Sequence, residues 1–180
     1  MLLVFGTLWD HSVIAPLYLF LLSLFITCAW YTKNINLAHI SGFIFALTAI
    51  NFTIFSTGII DIVALQENQL LRGTIILGIQ LIFSVITMII LIFRVQLSRK
   101  LSSSNNIKLT PFDGIFYWLY IFTSIIYALG LLENVAWSYF KIASMDLIYS
   151  NIAGLIYISW ALCCYMFLTM VVLSINKPRL

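Results

Sequence analysis

The sequence predicts an all-α integral membrane protein, a bundle of about five transmembrane helices forming one polytopic domain over residues 1–180. Three observations carry this: a shortage of charge, five long apolar runs, and a lopsided distribution of basic residues. Of the 180 residues 63% are hydrophobic and only 8% charged, with a mean hydropathy of +1.09. A soluble domain carries about 25% charged residues, and the shortfall leaves too little polar surface to cover a globule in water. The net charge of +3 is spread among apolar spans and forms no nucleic-acid surface.

Five stretches reach the roughly 20 apolar residues that a helix needs to cross hydrocarbon. The first, 12–31, has Pro16 in its opening turns, where a missing donor costs little, and closes on the interfacial pair Trp30 and Tyr31. The second and third, 40–60 and 73–93, are separated by DIVALQENQLLR. The fourth, 114–132, is launched by TPFDG, and the fifth, 151–174, stops before NKP, which supplies a capping Asn and a helix-ending Pro. Residues 1–12 lack the basic start of a cleavable signal, and MLLVFGTLW is too short to span, so it is expected to lie in the interface or to extend the first span.

Basic residues orient these spans. With the N-terminus outside, Lys33, Arg94, Arg99, Lys100, Lys108, Lys177 and Arg179 fall on the cytoplasmic side and only Arg72 and Lys141 on the other. Positive charge retained inside is the rule for short loops. Asp61, Glu67, Glu133 and Asp146 then face outward, whereas Asp113 alone among the acids falls inside. The 94–113 segment reads as a cytoplasmic basic loop around SSSNN, with Arg94 snorkelling to the headgroups and Arg99, Lys100 and Lys108 anchoring the chain or meeting an acidic partner. Outside, ENVAWSYFKIASMD is the more structured connection, with VAWSYFKIA suited to a short interfacial helix.

Functional candidates are the polar side chains at membrane depth. On the second span Gly42, Ala46, Ala49, Thr53 and Thr57 recur at helical spacing, and Asn51 lies on another side with Thr48. On the third, Gly73, Gln80, Ser84 and Thr87 share a face; on the fourth, Tyr117, Tyr120, Ser124 and Tyr127 do; on the fifth, Ala153, Tyr157, Ala161 and Cys164 do. An unsatisfied amide in hydrocarbon costs several kcal/mol, so Asn51 and Gln80 are expected to find partners on other helices. Asn51, Thr53, Thr57, Gln80, Ser84 and Thr87 are therefore expected to pack helices together or to line a pore.

Chemistry is poorly served. Asp61 and Glu67 are spaced off one helical face, the two His have no nucleophile or second ligand at a suitable spacing, and Cys28, Cys163 and Cys164 sit inside apolar runs with no CxxC. No catalytic residue, metal ligand or cofactor is expected. The function expected is that of a non-enzymatic subunit of a membrane assembly, with a scaffolding, sensing or immunity-type role. Lipids, further copies of the chain or a protein on the cytoplasmic side would be its partners. The alternatives are an oligomeric channel or small-solute transporter and a membrane-embedded lipid-modifying enzyme. Abundant Ile, Asn and Phe read as translated AT-rich DNA of bacterial type, so the inner membrane is the expected location.

Overall fold

In the computed structural model, residues 11–58, 69–102, 107–140 and 148–176 are described. They form six α-helices and one 3-10 turn, with no strand among the described residues: α1 His11–Tyr31, α2 Ile35–Ser56, α3 Gln69–Ile92, α4 Arg94–Leu101, α5 Asp113–Phe140, the turn Tyr149–Asn151, and α6 Ile152–Ile175. All but α4 are long and apolar enough to cross a membrane. The protein is an all-α membrane bundle.

The starts and stops follow local chemistry. Lys33 adopts φ 53°, and the amides of Lys33 and Asn34 donate back to Trp30 O (3.2 Å) and Ala29 O (3.0 Å). This is the Schellman ending of a helix, with Lys in the left-handed position that Gly usually fills. Asn34 then caps α2, its Oδ1 accepting from Leu37 N at 3.1 Å. That cap starts α2 at Ile35, ahead of the expected position 40, while its helical residues end at Ser56. At α5, Thr110 N and Oγ1 donate to Asp113 Oδ2 at 2.5 and 2.8 Å, and Pro111 precedes the first turn, an arrangement related to the capping box.

Two connections differ in their helices from the expectation. The first eight residues of the 94–113 segment form α4, which follows α3 almost without a break because Leu97 N still donates to Phe93 O at 3.0 Å. The fourth span runs to Phe140 and not 132. The polar pair Glu133 and Asn134 does not end it, because Asn134 is buried against α3 and the Glu133 carboxylate accepts from Ile148 N (2.9 Å). VAWSYF thus continues α5, whose 28 residues span about 42 Å at 1.5 Å each, more than a hydrocarbon core requires. Residues 1–10, the SSSNN core from 103 to 106, the loop at 141–147, and Asp61, Glu67, Asp146, Lys177 and Arg179 lie outside the described residues.

The five long helices close a cycle, α1 on α2, α2 on α3, α3 on α5, α5 on α6 and α6 on α1, with α2 also touching α6 inside it. One end is defined by Asn34 bonded to Ser174 and Arg94 bonded to Asn36, and carries Lys33, Arg99, Lys100 and Lys108. This basic half holds much of the apolar core: Leu22, Leu37, Ile40, Ile44, Phe116 and Phe167 are all buried, with the Phe116 and Phe167 rings 4.6 Å apart, and buried Tyr18 stacks on Trp160 farther in. At the other end, Asn134 Nδ2 donates to Leu70 O and Thr74 Oγ1, both at 3.2 Å. Gly73 is required there, since a Cβ would run into the Asn134 amide.

Candidate functional site

At mid-depth the cycle brings its polar side chains to one place. α2 contributes Thr48 and Asn51, α3 Gln80, Ser84 and Thr87, and α5 Tyr120, Thr123 and Tyr127, with Trp160 of α6 behind them. Asn51 Nδ2 donates to Gln80 Oε1 at 2.8 Å, joining α2 to α3. Next to them Ser84 Oγ lies 2.6 Å from Thr123 Oγ1 and 2.9 Å from Ser124 Oγ, and all three hydroxyls gather around the carbonyl of Tyr120. That cluster joins α3 to α5, and Thr87 closes onto its own helix at Phe83 O (2.7 Å). Between the groups is a cavity of about 40 Å³, the volume of one or two water molecules. Asn51 Oδ1 is buried beside it, with no hydrogen-bond donor among the described residues.

Four of the six intramembrane residues singled out from the sequence, Asn51, Gln80, Ser84 and Thr87, therefore meet across helices. Thr53 and Thr57 do not. Both are exposed on the outside of α2 and donate to their own helix, Thr53 to Ala49 O (2.8 Å) and Thr57 to Thr53 O (2.7 Å). A threonine hydroxyl satisfied by the preceding turn tolerates lipid, so its polarity does not report which way the residue faces. The buried face of α6 also differs from the expected one: Ile156, Ser159, Cys163, Phe167 and Met170 are inside, while Ala161 is exposed. In a lipid-facing bundle apolar residues occupy both inside and outside, so neither apolarity nor smallness alone marks the packed side.

A second polar group ties the basic end together. Arg94 does not reach out to lipid or water: its side chain is 1% exposed, with Nε 2.5 Å from Asp113 Oδ1 and Nη2 2.7 Å from Asp113 Oδ2. Nη1 also donates to Asn36 Oδ1 (3.0 Å) and Nη2 to Lys108 O (2.8 Å), and Lys108 N donates to the same Asn36 oxygen. One guanidinium thus fastens α2, α4, the 107–110 segment and α5. Its planar fork suits this task as a lysine would not. Arg99, Lys100 and Lys108 keep exposed side chains, so the four basic residues grouped by the sequence divide into one buried clamp and three surface charges. Glu133, expected as an outer-face acid, lies at the end away from the basic residues and accepts there from the Ile148 backbone amide.

Among the described residues the mid-depth lining offers amides, hydroxyls and aromatic rings but no carboxylate, imidazole or cation. Such a set can accept and donate hydrogen bonds to a neutral guest or to itself, and it supplies no charge to attract an ion into hydrocarbon. No protein-family model, curated protein or solved structure matches the chain.

Proposed function

We propose that this chain is a non-enzymatic, integral subunit of a bacterial inner-membrane assembly, with a scaffolding, sensing or immunity-type role, its N-terminus outside and its C-terminus in the cytoplasm. One observation carries the reading: the polar groups at mid-depth are spent on one another, Asn51 on Gln80 and Ser84 on Thr123 and Ser124, so interior polarity holds helices together. The orientation rests on the gathering of Lys33, Arg99, Lys100 and Lys108 at one end. Small or weakly polar residues left on the outside of α2, Ala46, Thr53 and Thr57, suit close approach by a helix of another chain.

The test is the protein mass of the particle in mild detergent or nanodiscs. More than one chain, reduced to a single chain by Ala46→Phe, supports the reading; a 20.5 kDa particle under all mild conditions contradicts it. A channel is the second reading, favoured by the polar cavity of about 40 Å³ and the undonated Asn51 Oδ1. It requires copies to assemble so that polar faces surround a shared axis.

A further inference from the structure

At the basic end a groove of about 300 Å³ opens between the last turns of α1 and α6, lined by Thr27, Cys28, Tyr31, Thr32, Val171 and Ile175. Its lining is mostly apolar, and the Thr27 and Thr32 hydroxyls are satisfied by Leu24 O (2.7 Å) and Cys28 O (2.8 Å). The two walls are pinned just beyond the groove by the Asn34 Nδ2 to Ser174 Oγ bond of 2.6 Å, which fixes α1 against α6 through the short turn.

The residue after the groove's wall is Lys33. It is exposed and held at φ 53°, a conformation that would be less costly for Gly. A cation kept where the backbone prefers glycine invites a functional explanation. Trp30 and Tyr31, exposed at 79% and 83%, set this level at the membrane interface, where aromatic side chains and anionic headgroups meet. Among the described residues the acid at this end, Asp113, is buried on Arg94, and no ion pair there engages the exposed Lys33 charge. We infer that the α1–α6 groove is a binding site for an anionic phospholipid, one acyl chain in the groove and the headgroup phosphate at Lys33. The inference does not depend on the assembly role.

The test uses the full-length protein equilibrated with equal amounts of phosphatidylglycerol and phosphatidylcholine of the same chain length, with retained lipid counted by native mass spectrometry. Wild type is expected to keep the anionic lipid preferentially. Lys33→Asn, which tolerates the left-handed backbone, should keep a lipid but lower the preference about fivefold, toward parity. Thr27→Trp, which fills the groove from its exposed edge, should lower retention of both lipids. The double variant Arg99→Gln, Lys100→Gln should leave the preference in place. Loss of preference in that variant instead of in Lys33→Asn, or a wild type without headgroup preference, overturns the site. A Thr27→Trp protein that retains lipid as wild type does overturns the groove as its location.

Discussion

Arg94 Nε lies 2.5 Å from Asp113 Oδ1, and the two side chains, 1% and 6% exposed, face each other beneath the 107–110 segment at the basic end of the bundle. The pair bridges 19 residues of sequence and joins the start of α4 to the start of α5. A buried ion pair repays its desolvation better the more of its donors and acceptors are satisfied, and Asn36, Lys108 O and Thr110 take up the Nη donors and the Asp113 Oδ2 acceptor here.

Removing one partner leaves the other charge buried. Asp113→Asn and Arg94→Gln are each expected to lower stability by about 3–5 kcal/mol, whereas the double replacement Arg94→Gln, Asp113→Asn should cost much less than the sum. Unfolding of the four proteins in mixed micelles checks this. Additive losses would return Arg94 to the headgroup role that its position suggests.

At mid-depth, Asn51→Leu and Gln80→Leu should each destabilise the bundle by about 1 kcal/mol, with a coupling of roughly 0.6–2 kcal/mol in the double-mutant cycle. The modest size follows from the unfolded reference, in which a free amide in the membrane finds other partners. Zero coupling would mean that the 2.8 Å bond between them does not hold α2 to α3.

Gly73→Ala is expected to part α3 from α5 at the end away from the basic residues, since the new methyl meets the Asn134 amide. Overpacking of this kind costs about 1–3 kcal/mol. Asn134→Ala in the same chain should relieve the clash, so a double variant no less stable than Asn134→Ala alone is the signature to look for in thermal unfolding. Gly130→Ala, where the nearest atom is the flexible end of Ile152, should be milder.

A reporter fused after Leu180 is expected to be active only in the cytoplasm, because Lys33, Arg99, Lys100 and Lys108 share the end where α6 finishes. Activity confined to the periplasm would invert the protein.

The spans were legible because their signal is compositional and each exceeds the hydrocarbon thickness. Asn51 and Gln80 were legible because an amide in hydrocarbon has to find a partner, although the sequence did not say that they would find each other. Arg94 was misread because a cation directly after an apolar run resembles a snorkelling anchor. Its signal was Asp113, the single acid on the basic side of the topology. Thr53 and Thr57 misled because their hydroxyls are satisfied within one helix turn. The buried face of α6 carries no polarity contrast, so shape against Tyr18, Phe25 and Phe116 selects it, and shape is not written in residue type.

Flux across liposomes containing the purified full-length protein, measured for wild type beside Asn51→Leu, tests most directly whether mid-membrane polarity serves adhesion. Neither protein is expected to carry protons, ions or small solutes above the rate of empty liposomes, and Asn51→Leu is expected to lower only bundle stability or assembly. A wild-type conductance that Asn51→Leu changes while the particle mass stays the same would contradict this and make the cavity between Asn51, Gln80 and Ser84 part of a conduit.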